Sequence, residues 1–214
     1  MTSNVVQLRD VASVRDSVSS EEWQARVDLS AAYRLAHHYN WADAIYNHIS
    51  IRVPGEPDFF LIKAHELLYE EVTASNLVKV DSRNDDIDES FHVNKPGFTL
   101  HGGLMQARPD INAAFHTHIP ECIVVSNQPD GLLPLSQSGM QFWNNVGYHD
   151  YQGITENLDE RAAIALLSLT GASATSPMDS LPCNNPLFIG LLLAWALWRN
   201  AVTRELASDE SSPP

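Results

Sequence analysis

Seven residues in the first quarter of the chain restrict its architecture most. From Asn47 to Val53 the sequence alternates strictly, with Ile49, Ile51 and Val53 on one side and His48, Ser50 and Arg52 on the other, and a period of two is the signature of a half-buried β-strand. Such a strand needs partners for its backbone and a cover for its apolar face. Pro54-Gly55-Glu56-Pro57 supplies turn residues, and an extended run at Phe59 to Ile62 follows, which predicts a hairpin. Leu67 to Val72 and Leu77 to Val80 are expected to continue the sheet.

Helices flank these strands. Ser19 with Glu22 three residues later forms a capping-box pattern, after which Trp23, Val27, Ala31, Leu35 and Tyr39 recur every fourth residue, predicting an amphipathic helix. Asp81 to Glu89 is acidic and reads as a solvated loop. Asn94-Lys95-Pro96-Gly97 leads into a helix over Phe98 to Ala107, which Pro109 stops. Ile111 to His118 alternates like a strand, Leu132 to Leu135 reads as a short extended piece, and Asn157 to Leu169 has a helical pattern. Strands interleaved with helices predict an α/β fold, a sheet covered on both faces. Residues 1–19 are expected to be a flexible lead-in.

Composition excludes several classes. At 214 residues, with 44% hydrophobic and 19% charged residues, the chain suits one packed domain. A net charge of −14 argues against nucleic acid and anionic membrane surfaces as partners. The longest apolar run, Leu187 to Trp198, is about a dozen residues, short of the roughly 20 that span a bilayer, so no membrane association is expected. No secretory signal is visible in Met1 to Ser20, and Cys122 and Cys183 lack a Cys-x-x-Cys spacing; both point to a cytoplasmic protein with reduced thiols. Neither a phosphate-cradling glycine loop nor a Gly-x-Ser-x-Gly elbow around Ser136 or Ser138 is present.

The chemistry concentrates in histidines. In Phe115-His116-Thr117-His118, residues two apart on a strand project from one face, so both imidazoles converge. Neutral imidazole is a good zinc ligand, and a catalytic zinc takes three protein ligands and an open position. An isolated His-x-His is also a common hydrogen-bonded strand end. His101, on the preceding helix, is a candidate third ligand or a core residue. His37 and His38 lack a partner at spacing i+4 and read as structural, and Cys122 has no flanking group that would lower its pKa. His48, Ser50 and Arg52 share a strand face that could hold an anionic group.

The order of these segments carries a resemblance. Asn47-His48-Ile49-Ser50-Ile51-Arg52, Thr73 to Asp81, Gly97-Phe98-Thr99-Leu100-His101, Ala107-Arg108-Pro109-Asp110 and His116-Thr117-His118 together resemble the class II aldolase/adducin family, from about Trp23 to the region of Asn157. The resemblance implies a three-layer α/β/α fold with a central mixed, largely antiparallel sheet, and a homo-oligomer. It implies Zn²⁺, or another divalent metal, on His116 and His118, and a small carbonyl or sugar-phosphate substrate contacted through Asn47 and His48; His101 stays a candidate third ligand by its place on the preceding helix. The enzymes' acid/base glutamate aligns with Gly97, a departure shared with the adducin-like branch, and their late Asn-His-Gly histidine has no counterpart here. His149 matches an earlier family segment. The expected organisation is a family domain over residues 20–169 and a divergent segment over 170–214, with an apolar helix and a disordered tail. Two functions follow as expectations: a metal-dependent aldolase-type lyase, or a non-catalytic adducin-like binding or oligomerisation module.

Overall fold

The computed structural model of the chain describes residues 13–84 and 93–140. In order they form a 3₁₀ turn at Arg15–Ser17, helix α1 (Ser20–His38), strands β1 (His48–Val53) and β2 (Glu56–Lys63), a 3₁₀ turn at Tyr69–Glu71, strand β3 (Leu77–Asp81), helix α2 (Lys95–Ala107), strand β4 (Ala113–His116), and short helices α3 (Pro120–Ser126) and α4 (Gln137–Met140). The strands make one sheet in the order β3-β2-β1-β4, and all three pairings are antiparallel. The helix expected at Asn157 to Leu169, the apolar run at Leu187, His149 and Cys183 lie outside the described residues.

Side-chain alternation sends each strand's residues to two cores. Ala25, Leu29, Tyr33 and Ala36 of α1 pack with Ile49, Val53, Leu61, Tyr69, Val72 and Leu77. On the opposite face Phe98, Leu104 and Met105 of α2 pack with Phe60, Ile62, Val80, Ile111 and Ala114. The sheet is thus covered by a helix on each side, the α/β layering expected. β1 is buried on both faces rather than half-buried, because α2 covers the side that carries His48 and Ser50.

Several local expectations change. The buried stripe of α1 is Glu22, Ala25, Arg26, Leu29, Tyr33 and Ala36, rotated away from Trp23, Val27 and Leu35; two charged residues lie inside the true stripe, so its hydrophobic period is broken in the sequence. Ser19 Oγ accepts a hydrogen bond from Glu22 N at 3.1 Å, the N-cap half of the predicted box. The Glu22 carboxylate turns instead to Arg26 and Lys79, each at 2.9 Å. Leu67 to Val72 adds no strand: it closes through the 3₁₀ turn that seats the Tyr69 ring edge-on against Tyr33, centroids 4.7 Å apart. Leu132 to Leu135 forms no strand either. The predicted β1–β2 hairpin forms, with Gly55 at φ +79°, a backbone angle that favours glycine.

Candidate functional site

Strand register brings the histidines together. His48 lies directly across from His116 in the β1–β4 pair, and their rings stack with centroids 4.9 Å apart and planes at 21°. The strand containing His116 ends there, two residues short of the expectation, so His118 sits beyond the pleat. Its ring nevertheless meets His116 edge-on, centroids 4.9 Å apart, with the two Nε2 atoms separated by 3.0 Å. The chain leaving the sheet at Thr117 supplies the convergence that the sequence attributes to strand alternation. His118 Nδ1 lies 2.6 Å from Asp43 Oδ2, and its side chain is 36% exposed, so the pair reaches solvent.

Behind this pair runs a buried chain. Ser50 Oγ is 2.5 Å from His101 Nδ1, and His101 Nε2 is 3.0 Å from His48 Nδ1. Both nitrogens of His101 are therefore engaged, and the ring stands one imidazole removed from His116. Ser50 and His48 share a face because they are two apart on β1, while His101 reaches them from α2, whose N-cap Asn94 accepts from Gly97 N at 3.1 Å.

Burial keeps these rings uncharged. It pushes the pKa of His101 down to about 3, with the neighbouring His116 adding to the effect, and that of His116 down to about 4, with His118 adding. His48 is held well below the ordinary imidazole value by burial first, then by His101, His116, Lys63 and His118. At neutral pH His48, His101 and His116 are therefore neutral, the state in which a ring nitrogen has a lone pair to offer a metal.

The other predicted site residues have different employment. Arg52 donates to the carbonyl oxygens of Met105 at 2.8 Å, Arg108 at 3.1 Å and Ile111 at 2.9 Å, and also to Pro57. It closes the carboxyl end of α2, while His48 and Ser50, expected to share an anion-binding face with it, are buried. Asn47 is fully buried, donating through Nδ2 to Trp41 O at 2.7 Å and accepting from Asp43 N at 3.0 Å; its amide shapes the loop that holds Asp43. His37 pairs with Glu70 at the surface, 3.1 Å away. Ser136 Oγ accepts from Gly139 N at 3.0 Å. Cys122 lies on α3, and burial together with Glu121 pushes its thiol pKa up, the reverse of an activated nucleophile.

Two participants escaped the sequence reading. Asp43 lies in a loop without period, and only the fold brings it to His118. Lys63 is buried, its ammonium donating to the carbonyl oxygens of Ile45 at 3.0 Å, Ala64 at 3.4 Å and His65 at 3.2 Å; burial pulls its pKa down to about 8 against the pull of Glu66. That carbonyl cage is made by loop closure and has no local signature in the sequence.

The donor set can be tested against a divalent metal. Two nitrogens bound to one tetrahedral zinc at about 2.05 Å stand about 3.3 Å apart, close to the 3.0 Å between His116 Nε2 and His118 Nε2. The carboxylate on His118 Nδ1 is the partner that usually orients a metal-bound imidazole. Two ligands therefore fit, although among the described residues no group of three or more His, Cys, Asp or Glu side chains is arranged to hold an ion.

Comparison with known proteins agrees with this architecture. The chain is 44% identical over 153 residues to the "Putative aldolase class 2 protein" of Caulobacter vibrioides, covering 71% of this chain and 60% of that protein. It is 42% identical over 154 residues to rat (Rattus norvegicus) alpha-adducin, covering 70% of this chain and 21% of the adducin. The chain thus spans about three-fifths of its bacterial relative and about a fifth of the adducin. An aldolase II superfamily protein from Pseudomonas syringae superimposes with a TM-score of 0.71 at 38% identity, covering 94% of this chain and 85% of that one. The L-fuculose 1-phosphate aldolase of Glaciozyma antarctica PI12 shares the fold, with a TM-score of 0.62 at 20% identity over 91% of this chain and 76% of its own. Residues 27–174 match the family described as Class II Aldolase and Adducin N-terminal domain, and the chain belongs to that family.

Proposed function

We propose that the chain is a metal-dependent, aldolase-type lyase acting on a small hydroxy-carbonyl substrate, with the metal on His116 and His118. The observation that carries this reading is the pair of Nε2 atoms 3.0 Å apart at a solvent-reaching position, with Asp43 behind His118. A divalent ion such as zinc, when bound, supplies Lewis acidity toward a carbonyl or hydroxyl oxygen. Asp43 fixes the His118 ring by accepting from Nδ1, which leaves Nε2 as the ligand atom. His116 offers Nε2 because burial keeps the ring neutral. His48 lies against His116 as the proposed substrate-side residue, and Ser50 and His101 hold its ring. We assign His101 to that support, since both of its nitrogens are bonded, and Asn47 to shaping the adjoining loop.

A non-catalytic adducin-like module is the second reading, and Gly97 favours it. The position where the enzymes that this chain resembles carry a glutamate has no side chain, and a Cβ there would lie 2.9 Å from the His48 ring. The experiment is a joint measurement of metal content and retro-aldol cleavage with sugar phosphates and their unphosphorylated counterparts. One zinc per chain, lost in His116→Ala, with release of a three-carbon fragment supports the lyase. Bound metal without cleavage of any of them favours the module. We further propose a cytoplasmic homo-oligomer, with a family domain over residues 20–169 and a separate segment over 170–214.

A further inference from the structure

Helix α2 faces the His48 ring of strand β1 at Gly97, where the helix has no side chain. A Cβ on Gly97 would lie 2.9 Å from both Cδ2 and Nε2 of His48 and 3.1 Å from its Cγ, and real carbon atoms do not come so near. The obstacle is a fixed ring and not the loose end of a flexible chain. His48 is 2% exposed, its Nδ1 is tied to His101 at 3.0 Å, and its face is stacked on His116. Turning the ring aside breaks at least one of these contacts.

We infer that Gly97 and His48 are a size-coupled positioning pair: bare backbone on α2 is the seat of the His48 imidazole, and that seat holds the ring of β1 against His116. A side chain at position 97 and the imidazole at position 48, as it stands in this chain, compete for one space. What the ring faces rests on the metal reading above; the coupling itself does not.

The test uses the full chain and the sign of one substitution. Gly97 lies inside helix α2, where Gly→Ala ordinarily stabilises, raising Tm by about 2–4 °C in a chain of this size. The inference expects G97A to lower Tm in the parent, and to raise it or leave it unchanged when His48 is shortened to H48A or, in parallel, H48N. A double variant that folds where G97A alone does not is the same result in stronger form. G97A raising Tm in the parent overturns the inference. So does a loss that neither background relieves, including failure of both double variants to fold. Zinc content, read on the same samples, separates the two proposals: absence of metal from the parent removes the lyase reading and leaves the coupling to be decided by Tm alone.

Discussion

Single side chains set this site through their second contacts. Asp43 holds His118 Nδ1 at 2.6 Å, and loss of such an outer partner costs about 10–100-fold in metal affinity. Asp43→Ala is therefore expected to weaken zinc binding by that factor in a competition titration against a chromophoric chelator, with the fold retained; unchanged affinity would remove Asp43 from the site. Two tyrosines make a matched pair away from it. Tyr33 Oη accepts from Ile49 N at 2.8 Å and Lys63 N at 3.3 Å and donates to Ile49 O, so it ties α1 to the end of the β1–β2 ladder. Tyr69 Oη is the single buried side-chain polar atom without a hydrogen-bond partner among the described residues. Tyr33→Phe is expected to lose about 1–3 kcal/mol, because it orphans backbone groups, whereas Tyr69→Phe is expected to cost nothing measurable. Urea unfolding of the two variants checks this, and equal losses would contradict it.

At the scale of elements, α1 is fastened to the sheet edge by charge as well as by its apolar stripe. Arg26 donates to Leu77 O at 2.9 Å and Ala74 O at 3.3 Å, while Glu22 accepts from both Arg26 and Lys79, and Lys79 also reaches Glu56. Burial raises the Glu22 pKa, but hydrogen bonds and charge from Lys79 and Arg26 outweigh it and hold the value below the ordinary 4.5. A carboxylate with a depressed folded pKa stabilises the fold above its unfolded pKa, and that contribution fades as pH falls through the folded value. Glu22→Gln is expected to cost about 3 kcal/mol at pH 7, since it leaves Arg26 without its buried partner. The difference from the parent should narrow below about pH 4.5. A gap independent of pH would show that the ion pair is not its source.

The same helix explains why some of the fold was legible in sequence and some was not. The alternation of β1, the β1–β2 turn and the helix after Asn94 are local properties, and they appear within three residues of the expected bounds. The true face of α1 was hidden because its inward positions include Glu22 and Arg26, which are buried only by virtue of partners on β3. The site divides in the same way. His116 and His118 announce themselves by spacing, whereas the roles of Asp43, Lys63 and the His101–His48 contact depend on register and loop closure, which no local pattern records. Arg52 shows the converse: a strand cation that looks available for a ligand is engaged by the carbonyls that end α2.

The described residues form a sheet between two helices, with His48, His101 and His116 gathered where β1, β4 and α2 meet. The family match ends at residue 174, and we propose that the segment 170–214 lies outside the domain that forms the site. A chain ending at residue 169 is then expected to unfold cooperatively within a few degrees of the full chain; loss of the transition would place that segment inside the fold.

The central claim is that His116 and His118 are two arms of one metal site. The most direct measurement is a calorimetric zinc titration of the full chain beside His116→Ala and His118→Ala, with each variant's fold verified by circular dichroism. One zinc per chain in the parent, with affinity reduced at least tenfold in both folded variants, is the predicted result. A parent that takes up no zinc, or variants that bind it as the parent does, would contradict it.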